Sequence, residues 1–260
     1  MRFNGNRRYN SYVGYFRQKD GSRLQKIVVD AGFSCPNRDG TVTTGGCTYC
    51  NNEAFHPSYS TPDKSVLQQL EEGIEFHKRR YRTAERYLAY FQPYSNTHAP
   101  ADVLNRIYSE ALSHPLVSGI VVGTRPDCID ETKLELLSKL SIDNIVIVEY
   151  GIETIHDKTL LRINRGHNYK TASEAIYKTA GYGIHQGAHF IFGLPGESKD
   201  DMMAFAGEIN KLPLQSVKFH QLQIVTGTAM EREFEESPGD FLQMSLEEYL
   251  DFFIDFLEVL

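Results

Sequence analysis

The chain lacks tryptophan and carries only four cysteines in 260 residues. No apolar run approaches the ~20 residues needed to cross a bilayer. The N-terminal Met1-Arg2-Phe3-Asn4-Gly5-Asn6-Arg7-Arg8 has no hydrophobic core that would serve as a signal peptide. These absences predict a cytoplasmic protein with no membrane partner, in which clustered cysteines are metal or redox ligands rather than disulfides. Internal repeats, low-complexity segments and flexible linkers are also missing. At this length one α/β domain is the simplest expectation, and an apolar content of 41% allows a substantial core.

Apolar runs alternate with amphipathic segments from end to end. Strands are predicted at 26–32, 86–92, 117–124, 144–150, 187–193 and 216–222. Thr61-Pro62 reads as a helix cap followed by proline, leading into Val66, Leu67, Leu70 and Ile74. Thr171 to Glu174 and Ser245 to Glu248 both have capping-box spacing. Strands alternating with helices imply a parallel sheet with right-handed crossovers. Six units fall short of the eight in a closed barrel, so the expected fold is an open, six-stranded partial (β/α)6 barrel. Reactive groups in such folds gather after the strands. Here those positions hold three cysteines, then Ser95-Asn96-Thr97, Thr124-Arg125-Pro126-Asp127-Cys128, Gly151-Ile152-Glu153 and Leu194-Pro195-Gly196-Glu197.

Charge is unevenly spread. The net −7 conceals a local +6 over residues 1–26, where seven basic side chains face Asp20 alone. A second basic run between His77 and Tyr87 holds Lys78, Arg79, Arg80, Arg82 and Arg86 against Glu85. Residues 229–260 carry ten acidic groups against Arg232, a local −9. The expected layout is a basic N-terminal arm over 1–25, a core over 26–228 and an acidic helical segment over 229–260. That last helical pattern reaches residue 260 without a cap, which predicts a continuation. Either basic run alone reads as a solvated face. Together, with Tyr9, Tyr12, Tyr15 and Phe16 among them, they admit a nucleic-acid surface, although packing is the more ordinary use of Tyr12, Tyr15 and Phe16.

Cys35, Cys47 and Cys50 follow the first predicted strand with the spacing C-x11-C-x2-C. Three thiolates leave one iron of a four-iron cluster without a protein ligand. The alternative is zinc, with His56 as fourth ligand, although structural zinc sites use two short knuckles and no second CxxC exists here. Cys128, the fourth thiol, reads as a buried core residue or as a substrate-facing catalytic group. His189 and His220, in apolar strands, read as hydrogen-bonded interior residues.

The cysteine loop Cys35…Cys47-Thr48-Tyr49-Cys50 resembles that of radical S-adenosylmethionine (SAM) enzymes, with the long first spacing of the Elp3-like branch. Thr124-Arg125-Pro126-Asp127, Glu149-Tyr150-Gly151-Ile152-Glu153, Ile163-Asn164-Arg165-Gly166-His167 and Phe192-Gly193-Leu194-Pro195-Gly196-Glu197 match in order and position. The opening Asp30-Ala31-Gly32-Phe33-Ser34-Cys35-Pro36-Asn37-Arg38-Asp39-Gly40 is most similar to the bacterial YtqA/YhcC-type subfamily. The resemblance implies a [4Fe–4S] cluster on Cys35, Cys47 and Cys50. Its fourth iron binds SAM, and reductive cleavage yields a 5′-deoxyadenosyl radical that abstracts hydrogen from the substrate.

By the same resemblance Tyr49 lies beside adenine and Glu153 and Arg165 reach the SAM ribose and carboxylate. Gln92, Ser95, Asn96 and Thr97 line the cofactor, the last three replacing the usual Gly-Gly-Glu element. Ile191 and Gly193 belong to the strand that packs on adenine. A low-potential donor such as flavodoxin or ferredoxin is implied. So is a tRNA substrate modified at the C5 side chain of the wobble uridine, from 5-carboxymethylaminomethyl-(2-thio)uridine to the 5-aminomethyl form. The alternatives are a radical SAM enzyme acting on a small metabolite, a porphyrin-like compound or a peptide, and a zinc-binding interaction module.

Overall fold

The structure, a computed structural model, describes residues 9–21, 23–81 and 84–260. Arg2, Arg7, Arg8 and Arg82 of the basic runs lie outside the described residues. Six strands form one parallel sheet in chain order: β1 Leu24–Val29, β2 Arg86–Phe91, β3 Val117–Thr124, β4 Ile145–Glu153, β5 His185–Phe192 and β6 Ser216–Gln221. Each crossover carries helix across the outer face: α2 Val66–Tyr81, α3 Ala101–Leu112, α4 Glu131–Leu140, α5 Asp157–Arg162 with α6 Tyr169–Gly181, and α7 Lys199–Ile209. Preceding them is α1 Tyr12–Asp20, and following β6 are α8 Ala229–Glu236 and α9 Leu246–Val259. This is the expected six-stranded half-barrel. No helix among the described residues is long and apolar enough to cross a membrane.

Local chemistry explains where the element ends differ from their sequence patterns. The first strand stops at Val29 because the Gln69 side chain takes over the pairing of Asp30. Its Oε1 accepts from Asp30 N and its Nε2 donates to Asp30 O, both at 2.8 Å. Helix α2 starts four residues beyond the Thr61-Pro62 signal, where Ser65 Oγ accepts from Gln68 N at 3.1 Å. Asn168, rather than Thr171, caps α6 by accepting from Thr171 N. The Ser245–Glu248 capping box at α9 forms as expected, a device worth about 1 kcal/mol.

The outer core joins strand faces to helices. At its C-terminal side Phe190, Phe192 and Phe205 meet Phe219, Phe252 and Phe256, with Phe192 and Phe219 stacked at 5.2 Å between ring centroids. The acidic segment over 229–260 is therefore anchored in the barrel by the apolar face of α9. Inside the barrel, α1 closes the end at which the strands begin. Phe16, 2% exposed, packs with Leu24, Leu88, Val121 and Ile147, with Tyr12 and Tyr15 beside it. These aromatics are packing residues. Because α2 runs back to the start of β2, its basic last turn Lys78-Arg79-Arg80 lies at this closed end. A six-residue strand separates it from the cysteine loop, about 20 Å.

His185, at the start of β5, sits in the closed end with its ring 5.7 Å from Tyr15 and 6.1 Å from Phe16. Burial lowers its pKa from 6.5 to about 4. The unfolded chain therefore binds the proton first as pH falls, and the folded state loses stability between those two values. Thermal unfolding followed across this range is expected to show that loss. His185→Phe, which keeps a ring and removes one titration, is expected to reduce that loss, the remainder coming from groups such as His220 that are shifted the same way.

Candidate active site at the open rim

The loop after β1 has no regular structure and is held by specific hydrogen bonds. Arg38 N and Asp39 N both donate to Cys35 O, Gly46 N donates to Asn37 O at 2.8 Å, and Cys50 N donates to Cys47 O at 3.0 Å. Gly45 and Gly46 have φ of 81° and 80°, a region L side chains rarely adopt. The turn after α5 clamps this loop. Asn37 Nδ2 donates to Arg165 O at 2.9 Å and also to Asn164 O. Asn164 Nδ2 donates back to Thr44 O and Gly46 O at 3.1 and 2.8 Å. Thr48 is tied on both sides, its N to Ile163 O and its O to Met230 N, each at 3.0 Å.

The clamp brings buried cations to the thiols. Arg165 Nη1 lies 3.5 Å from Cys47 Sγ, and its Nη2 contacts Gly151 O and lies 3.3 Å from Glu153 Oε1. Burial opposes the Arg165 charge, but Tyr49, Cys47 and Glu153 outweigh it and hold the guanidinium protonated. Its Nε is buried without a hydrogen-bond partner, as is Nη1 of Arg125. The remaining Arg125 nitrogens, Nε and Nη2, form a fork on Asp127 at 2.9 and 2.7 Å. Glu153 has φ 73°, and the β4–β5 register shifts between Gly151 and Glu153. A strained backbone at a bulge re-aims the side chain here. Gly151 leaves room for the pair: a Cβ there would come within 2.5 Å of Glu153 Oε1 and 2.7 Å of Arg165 Nη2.

Cys35, Cys47, Cys50, Tyr49, Gln92, Glu153, Arg165 and Ile191 line one cavity of about 330 Å³. The other expected residues stand outside that lining. Ser95 Oγ bonds Thr124 Oγ1 and accepts from Arg125 N. The Asn96 amide donates to Phe91 O, Pro93 O and Gly123 O, and Thr97 Oγ1 donates to Cys128 O. This turn is a buried frame that joins β2 to β3. Gly193, with φ 89°, donates its N to Met202 Sδ. Cys128 is 6% exposed behind the turn.

Sequence reasoning missed the inner floor of the cavity. Tyr90, Glu149, His189, Lys218 and His220 all line it. His189 is hydrogen-bonded, as expected, through Nε2 to Glu149 Oε2 at 3.1 Å, but it faces the cavity rather than the outer core. The available signal was period-two parity, since His189 shares its strand face with Gly187 and Ile191. Burial works against the Glu149 charge, yet His189 and Lys26 hold this carboxyl well below its usual range.

The donor set suits a cluster better than a single zinc ion. Among the described residues no three Cys, His, Asp or Glu side chains are grouped so as to hold one metal ion. His56 turns its Nδ1 to Asp30, 3.8 Å away. A four-iron cluster takes each thiolate on a different iron, so the thiols need not converge on one point. The unpartnered guanidinium nitrogens of Arg125 and Arg165 supply donors for an anionic group.

Burial pushes the Cys128 thiol up to about 11. At pH 8 its alkylation in the native protein is expected to run roughly a hundredfold slower than in the unfolded chain, because the thiolate is the nucleophile. Peptide mass spectrometry after timed iodoacetamide labelling measures both rates.

The model of the family described as the radical SAM superfamily matches residues 39–209. The chain is 35% identical to YtqA of Bacillus subtilis over 262 residues, covering 99% of this chain and 79% of that one. It is 36% identical to YhcC of Escherichia coli K12 over 241 residues, covering 92% and 76%. The solved structure of archaeal Methanocaldococcus infernus Elp3 with an N-terminal deletion superposes with a TM-score of 0.67 at 16% identity. It covers 90% of this chain, which spans 53%, about half, of the Elp3 chain. The fold, the ordered rim residues and these similarities agree, and the chain belongs to the radical SAM superfamily.

Proposed function

We propose that this radical SAM enzyme modifies tRNA at the C5 side chain of the wobble uridine, taking 5-carboxymethylaminomethyl-(2-thio)uridine to the 5-aminomethyl form. The observation that carries this reading is the character of the cavity mouth. Phe55 and Tyr94 stand 58% and 36% exposed there, offering faces on which an everted base stacks. The lining sets Arg38, Arg125, Arg165 and Lys218 against Glu149 and Glu153, so an acidic protein presents a positive opening. The Elp3-like branch adds support, as does a Dehalococcoides mccartyi protein named tRNA uridine(34) acetyltransferase, 25% identical over 131 residues and 49% of this chain.

The family's cofactors are a [4Fe–4S] cluster and SAM, which together supply a hydrogen-abstracting radical. In this reading Cys35, Cys47 and Cys50 hold the cluster. Arg165 and Glu153 orient the carboxylate and ribose of SAM, with Tyr49, Gln92 and Ile191 along its sides. Ser95, Asn96 and Thr97 brace the wall from behind. The closed-end run Lys78-Arg79-Arg80 is too far from the thiols to touch the reacting nucleotide, and contacts only phosphates of a substrate that wraps the barrel.

Nucleoside mass spectrometry of tRNA from a strain lacking the gene tests the substrate. The 5-carboxymethylaminomethyl nucleoside is expected to accumulate at the expense of the 5-aminomethyl form, and an unchanged profile removes the proposal. For the cofactor contacts, Gly151→Ala is expected to weaken SAM binding roughly tenfold by displacing the Glu153–Arg165 pair, the scale of one lost charged hydrogen bond. Calorimetric titration of anaerobically reconstituted protein reads that change.

A further inference from the structure

We propose that Lys218 and His220, on the β6 side of the cavity floor, form an anion subsite that receives a carboxylate carried by the substrate. The accounting of charge leads there. Lys26 reaches across from β1 to Glu149, and its ammonium also lies 4.5 Å from the Tyr12 ring centroid and 4.7 Å from that of Tyr90. Glu149 receives His189 on its other oxygen. The one carboxylate of the floor is thereby shared between two partners and held ionised.

Lys218 remains. It sits opposite His189 in the β5–β6 register, lines the cavity, and among the described residues makes no ion pair or hydrogen bond. Lys218 is exposed on the edge strand β6, and desolvation against the cavity wall lowers its ammonium pKa. An anion placed beside it reverses that destabilisation. His220, two residues along the same strand face, has its ring 5.5 Å from that of His189 and a pKa lowered by burial to about 4. It is therefore neutral near pH 7 and offers a hydrogen bond without adding charge.

The subsite rests on the tRNA reading in one respect: the side chain to be shortened there ends in a carboxylate. A backbone phosphate has the same chemistry. Competition by a carboxylate and by inorganic phosphate separates the two.

Kinetics with reconstituted enzyme test the subsite. With tRNA bearing 5-carboxymethylaminomethyluridine, Lys218→Met is expected to raise KM roughly tenfold to a hundredfold, the scale of a lost charge pair. Lys218→Arg is expected to recover most of it. Competing tRNA bearing 5-methylaminomethyluridine, which lacks the carboxylate, is expected to inhibit wild type and Lys218→Met equally. Equal weakening of both tRNAs, or no change in KM, overturns the proposal.

A second measurement stands apart from tRNA turnover and keeps the two readings distinguishable if no tRNA is modified. Diglycolate is expected to protect Lys218 from acetylation by an N-hydroxysuccinimide ester, read by peptide mass spectrometry, while uncharged diethylene glycol does not. Protection by inorganic phosphate equal to that by diglycolate, or by neither, refutes the carboxylate assignment.

Discussion

The parallel register of six strands is the constraint from which the rest follows. Every strand ends at the same rim, so the loops after β1 to β6 meet there. Every second side chain turns inward, so residues scattered from Lys26 to His220 share one interior. Gly123, Glu149, Gly187 and Ser216 follow one another across neighbouring strands. Shifting one strand by a single residue would send its polar set into the phenylalanine layer beneath the helices.

The interior is graded along the barrel. Phe16 and its neighbours seal the closed end, the Lys26–Glu149–His189 set occupies the middle, and the thiols with Arg165 and Glu153 lie at the rim. A charged middle layer is costly to bury unless it is paired. Lys26 and His189 meet that cost for Glu149, whereas Lys218 is left to solvent and to whatever enters. At the rim, loops without regular structure depend on asparagine. The Asn37 and Asn164 amides bond backbone carbonyls on both sides of the contact, which holds the cysteine loop against the turn after α5.

The strands were largely legible because their apolar runs are bounded by polar loops. Their ends were less so: the side chain of Gln69, distant in sequence, ends β1, and a bulge extends β4 to Glu153. The thiols and the Glu153–Arg165 pair were visible as motifs. Ser95, Asn96 and Thr97 were visible too, but the structure uses them as a frame, because the Ser95 and Thr97 hydroxyls and the Asn96 amide nitrogen bond groups of β3 and the turn after it, although Asn96 Oδ1 is left without a partner. Tyr12, Tyr15 and Phe16 sit in a basic sequence and yet pack inside, against Leu24, Leu88, Val121 and Ile147 at the end where the strands start.

By itself the sequence determined the half-barrel and the three-thiol loop, because periodicity and spacing are properties of the chain order, and its ordered motifs carried the resemblance to the superfamily. The placement of charge was a matter for tertiary structure alone. The basic run ending α2 went to the closed end because a crossover helix must return to the start of the next strand. Lys26, Glu149, His189 and Lys218 became one cluster because four strands far apart in sequence turn the same face inward.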